Sequence, residues 1–220
     1  MATVRIEGAG DGLPVGKILC LGRNYLAHVR EMGAEVPERP VVFLKPPTAL
    51  LEEGEPIRLP PFPGEIHYEV EMVILMGTGG KNIPGSEARE HVGGYGVGLD
   101  LTARDLQSEA KKKGHPWAVS KGFDGSAPIS RFVPASRVPD PHALDLALRV
   151  NGEVRQKSST SLMMLRVDET VAWLSTIFTL CRGDLIFTGT PEGVGPIHPG
   201  DRLDLSLGGL VSASFQVAQD

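Results

Sequence analysis

The run Glu69-Val70-Glu71-Met72-Val73-Ile74-Leu75-Met76, closed by Gly77, limits the fold more than any other segment. Side chains alternate along a strand, so Glu69 and Glu71 share one face while Tyr68, Val70 and Met72 share the other. The unbroken apolar stretch 73–76 needs cover on both faces. A strand of this kind belongs inside a sheet, with other layers above and below it.

The rest of the chain supplies short partners for it. Apolar runs at 17–21, 41–44, 95–101, 144–150, 185–188, 203–207 and 210–217 read as strands, most of them bounded by Gly, Pro or a Gly-Asp turn. Residues 27 Gly and 18 Pro in number, with only 5% aromatics, favour many short strands over a helical bundle. Asn151-Gly152 is a two-residue hairpin signal. Helical character is expected at 24–31 with Asn24 as N-cap, at 86–92, and at 105–113 before Gly114. Another helix is expected from Asp168, as cap, through residue 180, with Val171, Leu174 and Phe178 on one face and Gly183 just beyond its end. No strict βαβ alternation is visible, so the expected class is strand-rich α+β rather than a doubly wound sheet or a TIM barrel. No linker divides the chain. A single domain over 1–220 is expected, with a short strand and loop over 1–16.

Composition narrows the function. Apolar content of 41% and charged content of 22% suit a globular chain with a sizeable core. The formal net charge of -5 makes a poor match for a phosphate backbone, so nucleic acid is not an expected partner. No apolar run approaches the roughly 20 residues of a membrane helix, so no membrane association is expected. Two cysteines without a CxxC exclude a disulfide framework and a thiolate zinc site. Residues 1–10 carry no charged-then-apolar leader pattern, and the expected location is cytoplasmic.

Several residues carry chemistry. Two carboxylates on a covered strand face repel each other unless a cation lies between them; an alternating exposed face is the other reading of Glu69 and Glu71. Asp100 ends the Gly-rich segment 93–100 and is either a turn residue or a third ligand. Three carboxylates without His or Cys would select Mg²⁺ or Mn²⁺ over Zn²⁺ and leave positions open for water and substrate. His28 and Glu31 are neighbours on a helix, as an acid–base dyad or as a solvated pair. Lys121, between an apolar run and Gly122, is either a partly buried cation aimed at an anion or a snorkelling side chain. Lys111-Lys112-Lys113 reads as a solvated helix end. The loop 188–196 is able to present backbone N–H and hydroxyl donors to a carboxylate, or is a plain multiple turn.

Taken in order, Gly22-Arg23-Asn24-Tyr25, His28-x-x-Glu31, Phe43-Leu44-Lys45-Pro46, Glu69-x-Glu71, Gly93-Gly94-Tyr95, Asp100-x-Thr102-Ala103-Arg104-Asp105, Lys121-x-Phe123-Asp124, Asn151-Gly152 and Thr188-Gly189-Thr190-Pro191-x-Gly193-Val194-Gly195 resemble the fumarylacetoacetate hydrolase family. The short chain and the run 110–117 are most similar to its acylpyruvate hydrolase/oxaloacetate decarboxylase branch. The resemblance implies a mixed β-sandwich roll, a homodimer, and Mg²⁺, with Mn²⁺ as the other option, at Glu69, Glu71 and Asp100. It implies a His28–Glu31 dyad on a lid, a catalytic Lys121, and substrate contacts from Arg23, Gln107 and Thr190. The activity implied is metal-dependent C–C bond cleavage of small 2-oxo acids: acylpyruvate hydrolysis, oxaloacetate decarboxylation, or both. Alternatives are an isomerase/decarboxylase of the 2-hydroxyhepta-2,4-diene-1,7-dioate isomerase type and a non-catalytic 2-oxo-acid-binding homologue.

Overall fold

The computed structural model describes residues 2–10, 12–61 and 64–219. Its centre is an eight-stranded mixed sheet. The main path runs Val41–Lys45, Ile18–Gly22, Leu185–Phe187, Val70–Met76, Val92–Leu99, Ala127–Ile129, Leu50–Glu52, and the short strand Val133–Pro134 also pairs with Val92–Leu99. Two pairings are parallel, Leu185–Phe187 with Ile18–Gly22 and Ala127–Ile129 with Leu50–Glu52. A four-stranded antiparallel sheet packs beside it in the order Glu153–Ser159, Asp145–Val150, Arg202–Leu207, Val211–Gln216. This is the expected strand-rich α+β class.

The central strand Val70–Met76 is buried along its whole length. Its alternation divides the core. Val70, Met72, Ile74 and Met76 face a cluster that includes Leu146, Leu148, Leu203, Leu205 and Phe215 of the four-stranded sheet. Val73 and Leu75 face a second cluster with Ile18, Cys20, Leu185, Phe187 and Phe132. Glu71 has the parity of Val73 and Leu75 and stands where that second cluster gives way to a cleft.

The expected strand through 68–76 is broken at Glu69. Residues Ile66–Tyr68 instead join a three-stranded sheet with Gly195–Pro196 and Thr102–Ala103. The chain changes sheets at Glu69, whose carbonyl accepts the Asp100 N–H at 2.9 Å.

The neighbouring strand Val92–Leu99 is Gly-rich because other backbone passes close to it. A Cβ at Gly98, which is opposite Glu71 in the register, would lie 2.9 Å from Pro128 O. The Asn151-Gly152 hairpin forms as its sequence requires, with φ of 52° and 84°.

Four α-helices are present among the described residues: α1 (Leu26–Glu31), α2 (Arg104–Lys113), α3 (Ala118–Lys121) and α4 (Val167–Ile177). Four local expectations are corrected. The N-cap of α1 is Tyr25, because Asn24 is engaged across the fold instead. The N-cap of α4 is Arg166, whose N–H is taken by Glu169 at 2.9 Å, while Asp168 lies in the first turn and accepts from Arg89 Nε at 2.8 Å. That helix stops at Ile177, not at 180. The stretch 86–92 yields only a 3₁₀ turn, Ala88–His91, before the strand begins.

Candidate metal centre and active-site cleft

Glu69, Glu71 and Asp100 each place a carboxylate oxygen within 4.8 Å of the others, and all three are buried. They form part of the lining of a cleft of about 290 Å³. Glu71 comes from the central strand, Glu69 from the residue where the chain changes sheets, and Asp100 from just past the end of the Gly-rich strand.

Three buried or partly buried cations face this group. Lys121 Nζ lies 2.8 Å from Glu69 Oε2, 2.5 Å from Asp100 Oδ2 and 2.7 Å from Thr102 Oγ1. Arg104 Nη2 donates to Glu69 Oε1 at 2.5 Å. Lys45 Nζ lies 2.8 Å from Asp100 Oδ1 and also donates to the Leu101, Lys121 and Ser126 carbonyls. Phe43 stands under Lys121, 4.9 Å from Nζ to the ring centroid.

These contacts set the charge states. Burial opposes ionisation of Lys121, but Asp100 and Glu69 outweigh it and the ammonium is pushed up to about 12. Burial also works against the Glu69 carboxylate, yet Lys121 and Arg104 hold it well below the usual carboxylate range. Glu71 goes the other way. Burial, then Asp100 and Glu69, push its carboxyl well up. Among the described residues its hydrogen-bond donor is the Gly189 N–H, at 2.6 Å from Oε2. Gly189 has φ of 93°, and a Cβ there would meet Asn24 Cβ at 2.7 Å, so only glycine serves at this point.

The donor set fits a hard divalent cation. All three groups are carboxylates, and one of them remains a buried acid with raised affinity for a proton, which a cation would displace.

On one wall, α1 holds His28, buried, with Nδ1 3.1 Å from Glu31 Oε2. Glu31 Oε1 accepts the Gly193 N–H at 2.9 Å, so the dyad is tied to the 188–196 loop. Thr190 lines the cleft, but its hydroxyl is engaged. It donates to Val70 O and accepts from Gln156 Nε2, both at 2.9 Å. Gln107 is buried in the lining, and Arg104 Nη1 donates to its Oε1 at 2.9 Å. Arg23 also lines the cleft, with φ of 60°. A non-glycine residue held there costs on the order of 1–3 kcal/mol and persists only where its surroundings fix it. Eight of the nine sequence-derived site residues line one cleft, and the ninth, Glu31, adjoins it through His28.

Three contributors were given no role from the sequence alone. Lys45 and Arg104 stand within motifs that give them no role of their own, and no local pattern marks Gln156. Gln156 comes from the four-stranded sheet, and its Oε1 accepts the Val70 N–H at 2.9 Å, the residue between the two glutamates. Asn24, expected as a cap, donates to Thr188 O and Leu165 O and accepts from Leu165 N.

The Fumarylacetoacetate (FAA) hydrolase C-terminal family matches residues 17–218. The chain belongs to the fumarylacetoacetate hydrolase family. Among its relatives, the mouse protein named oxaloacetate tautomerase FAHD1, mitochondrial, is 49% identical over 200 residues, covering 91% of this chain and 90% of that one. The Arabidopsis thaliana protein of the same name is 46% identical over 201 residues, with 91% and 90% covered. A crystal structure of fumarylpyruvate hydrolase from Pseudomonas aeruginosa in complex with Mn²⁺ and pyruvate superposes with a TM-score of 0.95 at 43% identity, covering 100% of this chain and 96% of that one. No helix among the described residues is long and apolar enough to cross a membrane.

Proposed function

We propose that this fumarylacetoacetate hydrolase family member is a metal-dependent enzyme that cleaves C–C bonds in small 2-oxo acids, by acylpyruvate hydrolysis, oxaloacetate decarboxylation, or both. The observation that carries this reading is the buried Glu69–Glu71–Asp100 triad, set at a cleft whose wall holds the His28–Glu31 dyad. The names of the relatives support it, since oxaloacetate and fumarylpyruvate are both 2-oxo acids.

A divalent cation at the triad, Mg²⁺ by preference and Mn²⁺ as the other option, would supply Lewis-acid stabilisation of charge developing on the substrate's 2-oxo oxygen. The protein's own groups do the rest. Lys121 and Arg104 keep Glu69 ionised, Lys121 and Lys45 hold the Asp100 carboxylate in place, and Glu71 would give up its proton as a cation binds. Gln107, Arg23 and the Thr190 segment orient the substrate. Glu31 fixes the imidazole of His28 through Nδ1, which leaves the other ring nitrogen to take a proton from water in the hydrolytic reaction. That water would add to the distal carbonyl, and the C–C bond then breaks to release a carboxylic acid and the enolate of pyruvate; decarboxylation releases CO₂, leaves the same enolate and needs no water, and protonation of the enolate carbon gives pyruvate in both. Tautomerisation would break no C–C bond: a base takes the C3 proton of intact oxaloacetate, and the enolate so formed is protonated on oxygen.

The deciding experiment is a spectrophotometric panel of oxaloacetate, acetylpyruvate and fumarylpyruvate with Mg²⁺ or Mn²⁺, with and without EDTA. Turnover that EDTA abolishes and metal restores supports the reading. Metal and oxaloacetate binding without turnover would favour a non-catalytic binding protein. The homodimer implied by the resemblance is proposed with it and is tested by mass measurement in solution. We also propose a cytoplasmic location, which fractionation tests, since the mouse and plant relatives are named as mitochondrial.

A further inference from the structure

The side-chain cations of the triad pair with Glu69 and Asp100, whereas Glu71 receives the Gly189 N–H, 2.6 Å from Oε2. Gly189 does little to aim that N–H by itself. A Cβ there would meet Asn24 Cβ at 2.7 Å, so the position needs glycine, and glycine takes either sign of φ at little cost. The residues on each side are anchored to the central strand. Thr188 N and Oγ1 both donate to Met72 O, at 3.1 and 2.8 Å, and Thr190 Oγ1 donates to Val70 O at 2.9 Å. Between these anchors the 188–189 peptide plane is able to turn about the line joining its two Cα atoms. A half-turn would swing the N–H away from Glu71 and bring the Thr188 carbonyl towards it, oxygen against carboxylate.

Asn24 holds the other side of the same peptide. A trans peptide is planar, so its C=O and N–H point in opposite directions. Thr188 O accepts from Asn24 Nδ2 at 2.8 Å, and the Gly189 N–H leaves the far side for Glu71. The Asn24 amide is itself locked. Nδ2 also donates to Leu165 O at 3.1 Å, and Oδ1 accepts from Leu165 N at 2.7 Å. Two carbonyls and one N–H as partners fix which end of the amide is nitrogen and use both of its hydrogens. Asn24 is buried, so water does not replace these bonds. A donor on the carbonyl also polarises the peptide and strengthens its N–H as a donor.

We propose that Asn24 is a positioning residue of the metal centre: by holding the Thr188 carbonyl it turns the 188–189 peptide so that the Gly189 N–H fixes Glu71 as a ligand. This rests on the proposed function, in which Glu71 holds the cation. Asn24 directly precedes Tyr25, the cap of α1, so the metal centre and the helix of the His28–Glu31 dyad share one anchor.

The test reads the amides by NMR and the metal by calorimetry. In the metal-free wild type the Gly189 amide proton should resonate far downfield and exchange slowly, as a short bond to a carboxyl group requires. Asn24→Ala should move it upfield, speed its exchange and raise the Kd for Mg²⁺ about tenfold, the scale of one hydrogen bond to a charged group. Asn24→Asp keeps an acceptor for Leu165 N but sets an oxygen against Thr188 O, and should act at least as strongly. Ser175→Ala removes a buried hydroxyl outside the cleft lining, one that donates to Ala172 O and accepts from Ile83 N. It should lower stability and leave both readouts unchanged. An unmoved Gly189 amide in Asn24→Ala, or a loss of Mg²⁺ affinity no greater than in Ser175→Ala, would overturn the proposal. Where neither Asn24 variant folds, titration of the wild type with Mg²⁺ decides. The Asn24 side-chain amide and the Gly189 amide should shift with one midpoint, and a Gly189 shift without an Asn24 shift overturns the relay. If the wild type binds no divalent cation, the proposed function fails, and the Gly189 amide of metal-free Asn24→Ala still tests the relay.

Discussion

The Lys121 ammonium and the Asp100 carboxylate lie 2.5 Å apart, both almost completely buried, and neither has water to fall back on. This contact ties stability to the metal centre. Lys121→Met would strand Asp100 and Glu69 together without their shared cation. Breaking a buried pair in this way costs on the order of 3–5 kcal/mol. Chemical denaturation of the metal-free protein should show a loss of that size, and saturating Mg²⁺ should recover part of it. An unchanged midpoint would mean that the pair contributes little.

Glu71 sets the pH dependence of the metal-free protein. Its carboxyl is raised by burial and by Asp100 and Glu69. The folded state thus holds a proton that the unfolded chain releases near the ordinary carboxylate value. The stability from this group is fully present below that value and is lost as pH rises through the raised folded value. Glu71→Gln should flatten this dependence while abolishing metal binding. Stability–pH curves of both proteins in EDTA, with metal affinity by calorimetry, check both halves. The same protonation makes metal affinity rise with pH in the wild type.

The dyad separates the two chemistries. Glu31→Gln keeps an acceptor for the Gly193 N–H through its amide oxygen but removes the charge beside His28. Acylpyruvate hydrolysis should fall by roughly 10²–10⁴-fold, the usual contribution of general-base catalysis. Oxaloacetate decarboxylation should fall much less. Equal losses in both, with oxalate binding intact, would show that the dyad does not serve chiefly to activate water.

Gln156 should matter to a site it does not line. Its Oε1 holds the Val70 N–H, and its Nε2 holds the Thr190 hydroxyl, which in turn donates to Val70 O. Gln156→Leu leaves buried groups unpaired, at about 1–3 kcal/mol each. We expect lower stability together with weaker metal binding, because the glutamates flanking Val70 lose their fixed backbone. Denaturation and metal titration of the same preparation test this, and weakened stability with unchanged metal affinity would confine Gln156 to a structural role.

The sequence by itself determined the strand at the centre, because the parity of Glu69, Glu71, Val73 and Leu75 follows from alternation alone. It also determined the Asn151-Gly152 hairpin, whose positive φ angles suit those two residues, and it offered Glu69, Glu71 and Asp100 as hard oxygen donors, which the fold then gathers. Spacing on a helix placed His28 beside Glu31. These are local facts, carried by periods of two and 3.6 and by turn chemistry.

Only the tertiary structure decided the partners. Lys45 reaches Asp100, Gln156 reaches Val70, and Asn24 reaches Leu165 and Thr188 from the far side of the chain. Asn24 therefore clamps two distant segments instead of capping the helix that follows it. Lys111 looks like its two neighbours in the sequence and parts from them only because Trp117 and the cleft lie under it. Burial turned like residues into unlike ones. Glu69 and Glu71 are two residues apart, yet one carboxyl is held well below the usual range and the other pushed well above it, because Lys121 and Arg104 sit against Glu69 while burial, Asp100 and Glu69 act on Glu71. Charge states inside a protein depend on what surrounds a group in space, and strand alternation fixes only the side from which it points.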